Sequence, residues 1–280
     1  PATSGTPGRK NSTYSASLGP GLSNLIHHPA VPSPGESITV NVQASDPDGL
    51  SSLLLRYSIN EGTFRSIPMA QAGRDLWSAI MPGQDSNSRL QFYVEARDGS
   101  PAENLSYAPS RGPESRAIIT VSSPNTGGIK QSVRINMLTS EANAMHKAND
   151  ILSNHRFGCT LITDEKNIAY DSGIRLRGSM FSRSSSSNTA LNLKFPADRR
   201  YRGTHSTITV RRGNRREILV KHIVNAAGGI HDNYNDIIHL NGHISAQLGR
   251  ARLEMSRFGK IYLQSLPGDD GEDRTVFKME

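Results

Sequence analysis

Between His27 and Ser122 the chain runs as a succession of short alternating segments, and that periodicity constrains its fold more than any other feature. Ile38-Thr-Val-Asn-Val42, Leu53-Leu-Leu-Arg-Tyr-Ser-Ile59, Leu76-Trp-Ser-Ala-Ile80, Leu90-Gln-Phe-Tyr-Val-Glu-Ala96 and Ala117-Ile-Ile-Thr-Val121 carry apolar residues at alternate positions, the period of a strand with one buried face. Turn formers separate these runs: Asp46-Pro-Asp-Gly49, Asn60-Glu-Gly62, Met81-Pro-Gly83 and Asp98-Gly-Ser-Pro101. The pattern predicts an all-β sandwich over residues 27–122.

Strands of this length and spacing fit a sandwich of the immunoglobulin or fibronectin type III kind. Trp77, the single tryptophan, is expected to plug its core. Asp46 and Asp48 offer two carboxylates, too few for the six to eight oxygens of Ca²⁺, so a hydrogen-bonded turn is expected there. Residues 1–26, rich in Ser, Gly, Thr, Pro and Asn, read as a disordered tail or linker. Residues 123–130, with Pro124 and Gly127-Gly128, read as a linker to a second domain at 131–280.

The second domain mixes periods. Val133-Arg-Ile-Asn-Met137 alternates, and Thr139 or Ser140 is a fair N-cap, with Glu141 in the first turn, for a helix through about Leu152. Phe157–Thr163 and 168–177 read as a hairpin about Asp164-Glu-Lys-Asn167. Leu191, Leu193 and Phe195 share one face of a strand, Ile208 and Val210 mark another, and further strands are expected at 237–240 and 248–255. At 215–227 the period changes to that of a helix, with Ile218, Leu219, His222, Ile223 and Ala226 on one stripe and Gly228-Gly229 as its stop. Together these predict an α+β domain.

Charge is concentrated in that domain. From Arg175 to Lys221 there are twelve Lys and Arg against Asp198 and Glu217, a local +10 in a chain of net +7. Residues 1–125 hold nine bases and ten acids, so the first domain has no electrostatic footprint. Two readings of the cluster stay open: solvated strand faces, or guanidinium and ammonium groups gathered for an anion. Nucleic acid would call for aromatic interleaving, and only Tyr201 lies near the arginines.

The single cysteine, Cys159, excludes an intrachain disulfide and sits among apolar residues, as a structural thiol does. His231, Asp232, Asp236 and His239 fit no zinc spacing, and Asp269, Asp270, Glu272 and Asp273 read as a solvated turn. No stretch approaches the roughly 18 apolar residues of a membrane helix. The chain starts at Pro1 and ends within an alternating pattern, Thr275-Val-Phe-Lys-Met-Glu280, which suggests a piece of a longer polypeptide.

Arg175-Leu-Arg-Gly-Ser179, the serine-rich loop after it and Leu191-Asn-Leu-Lys-Phe195 resemble the opening of the spore coat protein H family of atypical secreted kinases. Asn149–Phe157, Tyr234–Leu240 and the Gly268–Lys278 loop extend the likeness, and the preceding sandwich resembles the immunoglobulin-like module found before such domains in bacterial surface proteins. The resemblance implies the N-terminal part of a protein-kinase-like fold, phosphoryl transfer from ATP with Mg²⁺ or Mn²⁺ to a secreted or cell-surface protein, and an extracellular location. It implies nucleotide contacts from Arg175, Arg177, Gly178, Ser179, Arg183, Lys194 and Lys278, with Glu217 steadying Lys194. Ser187-Asn-Thr189 stands where relatives carry lysines, and the catalytic acids are expected beyond Glu280, so this segment alone is not expected to turn over. The other reading is a noncatalytic adhesion or scaffold segment whose basic face binds an anionic surface polymer.

Overall fold

The computed structural model describes residues 18–124, 132–145, 153–178, 183, 190–212, 223, 227, 235–241 and 243–253. The first half is a sandwich of two sheets built from β1 (Gly21–His28), β2 (Ile38–Ser45), β3 (Leu50–Ile59), β4 (Arg65–Pro68), β5 (Ala70–Gln71), β6 (Leu76–Met81), β7 (Arg89–Asp98), β8 (Leu105–Ala108) and β9 (Ala117–Thr120). One sheet has the order β1-β2-β6-β5; the other runs β4-β3-β7-β8, with β9 paired to the remaining length of the β7 edge. All their pairings are antiparallel.

Alternation in β2 buries Ile38, Val40, Val42 and Ala44 against Leu53, Leu55 and Tyr57 of β3 and Leu90, Phe92, Val94 and Ala96 of β7. Each of the larger aliphatic side chains removed from water contributes about 1.5–3 kcal/mol before the entropy of ordering is subtracted. Trp77, expected to plug this core, is half-buried and packs against its margin. β7 is buried on both faces, because Tyr93 on its outer side packs edge-on between Phe64 at 5.2 Å and Tyr107 at 5.6 Å.

β1 corrects the reading of residues 1–26 as a tail. Gly21 to Ile26 pair with β2 and bring Leu22 and Leu25 onto the core, a gain in backbone hydrogen bonds and burial that composition did not register. Residues 1–17 lie outside the described residues.

The second half contains β10 (Ser132–Asn136), α1 (Thr139–Met145), β11 (Phe157–Thr163), β12 (Asn167–Arg177), β13 (Ala190–Lys194), β14 (Thr207–Arg212), β15 (Asn235–Leu240) and β16 (His243–Leu253). Its strands close into a barrel of order β10-β11-β12-β13-β14-β16-β15, sealed by the parallel pair of β15 with β10. Val133, Ile135, Leu161, Ile174, Leu176, Leu191, Leu193, Ile208 and Val210 fill its interior. Cys159 is fully buried among them, and burial pushes its thiol pKa up, as a structural thiol requires.

The strands expected between Val133 and Leu253 are present, while the pattern at 275–280 lies outside the described residues; the described residues add only a seven-residue helix, so an α+β kinase-like domain is not shown. The continuation of α1 to Leu152 lies outside the described residues. Of the helix expected at 215–227, only Ile223 and Ala227 are described; the Ala227 N–H donates to the Ile223 carbonyl at 2.9 Å, the four-residue spacing of a helix.

Sandwich and barrel meet along an apolar seam. Val31, Ile26 and Ala30 pack on Ile162, Ile168 and Tyr170, and the Tyr170 ring stands edge-on to Phe92 with centroids 5.6 Å apart. Polar groups close the margins. The Thr160 hydroxyl accepts the Ile118 N–H at 2.7 Å and donates to the Arg116 carbonyl at 2.6 Å, so β9 is tied to β11 by one side chain. Arg116 reaches Glu141 at 2.8 Å, and Arg134 reaches Glu165 at 2.8 Å while donating to the Ser122 hydroxyl at 3.0 Å. The start of α1 is capped across the seam: Glu61 accepts the backbone N–H of Thr139 at 2.5 Å and of Ser140 at 3.2 Å.

Candidate anion-binding face

The outer surface of β12 and β13 is fixed by their antiparallel register. Gly173 lies opposite Lys194, Arg175 opposite Asn192 and Arg177 opposite Ala190, so the two arginines and the lysine leave the sheet on one side. The intervening Ile174 and Leu176 enter the barrel core. A bulge sets this phase: Asp171 adopts φ +48° and the register with β11 shifts there, which turns Tyr170 toward the sandwich and keeps Arg175 outward.

A fourth cation joins them. Arg156, just before β11, crosses the strand at Gly173, where a Cβ would lie 3.2 Å from the arginine Cδ. Its guanidinium donates to the Asn192 carbonyl at 3.3 Å and to Asn192 Oδ1. Burial, then the neighbouring Arg175 charge, lowers the Arg156 pKa from its ordinary value.

The partners of these cations are neutral. Arg175 donates to Asn154 Oδ1, and Arg177 donates to the Thr209 hydroxyl at 2.6 Å. The Asn192 amide donates to that same hydroxyl at 3.4 Å. Among the described residues, no carboxylate forms an ion pair with Arg156, Arg175, Arg177 or Lys194. Guanidinium groups held by neutral amide and hydroxyl oxygens have further N–H donors of a geometry suited to an oxyanion.

Gly178 and Arg183 extend the face. Arg183 Nε donates to the Gly178 carbonyl at 2.8 Å and Nη1 to the Ser153 carbonyl at 3.2 Å, so the strand end and the segment before β11 are tied together. A cavity of about 270 Å³ lies nearby, lined by Met145, Ser153, His155, Phe157 and Leu176. Leu176 faces it from the side of β12 opposite Arg175 and Arg177. Ser179, Glu217 and Lys278 lie outside the described residues, as does any pairing of Lys194 with Glu217.

Two other clusters resolve differently. The turn expected at Asp46–Gly49 forms, with the Gly49 N–H donating to the Asp46 carbonyl at 3.1 Å and the Asp48 N–H to Asp46 Oδ1 at 2.8 Å. The buried Asp98 approaches them, bringing three carboxylates within 4.8 Å, a grouping invisible to local spacing. Asp98 is held by local donors: the Ser100 hydroxyl at 2.9 Å, the Asn104 N–H at 2.8 Å and the Asn104 amide at 2.8 Å. His239 is buried next to Arg134 and Glu165; desolvation, then the Arg134 charge, lowers its pKa to about 4. His231 and Asp232 lie outside the described residues.

No protein family matches the chain, and no curated protein matches it. Among solved structures it is similar to the cycloalternan-forming enzyme from Listeria monocytogenes in complex with pentasaccharide substrate, at 10% identity and a TM-score of 0.27. That likeness covers 68% of this chain and spans 17% of the enzyme chain. So low a superposition carries no assignment.

Proposed function

We propose that the face formed by Arg156, Arg175, Arg177 and Lys194 holds the phosphate groups of a nucleotide, in a segment of a spore coat protein H-like kinase at the bacterial surface. The supporting observation is that, among the described residues, these guanidinium groups are partnered by neutral oxygens. In phosphoryl transfer most of the catalysis is positioning and charge neutralisation, and such a donor set suits phosphate oxygens. Arg183, tied to Gly178, would fix the end of β12 beside these cations.

The nucleotide is ATP, which transfers phosphate to a secreted or surface protein in the parent polypeptide. The cations here suit phosphate and not a metal, so Mg²⁺ or Mn²⁺ would be carried in on the nucleotide. The strand order β1-β2-β6-β5 facing β4-β3-β7-β8 supports an immunoglobulin-like module for the sandwich, which the seam holds against the barrel.

One observation favours a second reading. Arg175, Arg177 and Lys194 stand on the outer surface of a sheet, a form that also suits an extended anionic polymer on a noncatalytic scaffold. Calorimetric titration with ATP and Mg²⁺, and separately with dextran sulfate, over rising salt separates the two. Saturable one-to-one nucleotide binding supports the kinase reading. Binding of the polymer alone, weakening steeply with salt, refutes it and favours the scaffold.

A further inference from the structure

The turn between β13 and β14 builds a second cationic pocket, apart from the face above. The turn is compact: Tyr201 and His205 exchange backbone hydrogen bonds, each 3.0 Å, and the Gly203 N–H donates to the Arg200 carbonyl at 3.0 Å. Arg202 and Gly203 take positive φ of 49° and 76°, which folds the turn back on itself. Tyr201 is buried against Phe195, with ring centroids 5.6 Å apart. The Arg202 guanidinium lies 5.2 Å from the Tyr201 ring centroid, a cation–π contact that fixes its direction.

Between this turn and the β11–β12 hairpin lies a cavity of about 300 Å³. Arg199, Arg200 and Arg202 line it from the turn, against one carboxylate, Asp198. The opposite wall is Thr163, Asn167, Ile168 and Ala169. Arg199 and Arg200 donate a side-chain hydrogen bond to no described residue, whereas Arg116 and Arg134 each hold a glutamate at 2.8 Å. The volume is that of a small-molecule site, and its lining combines apolar and polar surface as such sites do.

We propose that this pocket binds a small organic molecule carrying a phosphate or sulfate monoester, the oxyanion on Arg199 and Arg200 and the organic group against Ile168 and Phe195. A doubly charged oxyanion matches guanidinium forks, and the apolar wall favours an ester over the bare ion. The pocket stands independently of the nucleotide reading, since it takes only the start of β12 and shares no residue with Arg156, Arg175, Arg177 and Lys194.

The test is amide NMR of the isotopically labelled intact chain titrated with phenyl phosphate, phenyl sulfate and inorganic phosphate. Saturable shifts at Asn167, Ala169 and Gly203 are expected with a phenyl ester and weaker ones with inorganic phosphate; the tighter of the two esters identifies the ligand class. R199Q/R200Q should weaken binding at least tenfold. A197F, which fills the space and keeps every arginine, should do the same, while R175Q/R177Q should leave it unchanged. The proposal is overturned by an absence of shifts at these amides, by unchanged affinity in R199Q/R200Q, by shifts confined to Arg175, Arg177 and Lys194 and their neighbours, or by inorganic phosphate binding as tightly as the esters.

Discussion

The Nδ1 atom of His27, on β1 of the sandwich, lies 2.6 Å from the hydroxyl of Tyr170, on β12 of the barrel. Nε2 of the same ring faces the Ala30 carbonyl at 3.2 Å and must donate to it, so Nδ1 accepts from the tyrosine O–H and the imidazole is neutral. The pair sits in the apolar seam beside Phe92.

This makes the seam sensitive to acid. Burial, opposed in part by the Ala30 hydrogen bond, lowers the His27 pKa to about 4. A histidine with a depressed folded pKa stabilises the protein above its unfolded value near 6.5, and that contribution is lost as the pH falls toward 4. Denaturant unfolding at pH 7 and pH 4.5 should show a loss of about 2–3 kcal/mol from this group. His239 titrates in the same direction, so the diagnostic quantity is the difference between the native chain and H27Q, in which His27's share of the loss disappears. An equal loss in both would count against this account.

Y170F tests the hydrogen bond without the packing. The ring contacts stay, while His27 Nδ1 is left buried without its partner, at a cost of about 1–3 kcal/mol. A chain as stable as the native one would show that the hydroxyl contributes nothing to the seam.

Gly158 is required by the arginine above it. A Cβ there would lie 2.3 Å from Arg116 Cγ, so G158A should displace Arg116 from Glu141 and cost about 1–3 kcal/mol. R116A should relieve the clash, making the double variant less destabilised than the sum of the two single changes. Strict additivity in that cycle would rule out the contact.

Much of the fold is legible because apolar and polar residues alternate along its strands, and β2, β10 and β13 read as they fold. β1 was missed because its register shifts between Ser23 and Ile26 and Asn24 takes φ +52°, which breaks the alternation of a polar segment. α1 begins at Thr139, one of the two residues expected to cap it, and its first backbone donors are satisfied by Glu61, 78 residues before Thr139, so no local capping signal reveals the partner.

The candidate site divides in the same way. Arg175, Arg177 and Lys194 share a face because strand pairing follows from period two, and that was readable. Arg156 was not, since its place depends on the missing side chain at Gly173. The approach of Asp98 to Asp46 and Asp48 likewise needs the pairing of β7 with β3.

The most direct test of the proposed nucleotide-binding face is the affinity of the intact chain for a fluorescent ATP analogue with Mg²⁺, compared with that of R175Q/R177Q and of R111Q, a change at an exposed arginine on the sandwich. Saturable binding is expected that R111Q leaves unchanged and R175Q/R177Q weakens at least about tenfold, the scale of losing charge-assisted bonds to phosphate. Equal affinity in all three chains, or no binding by the native one, would contradict it.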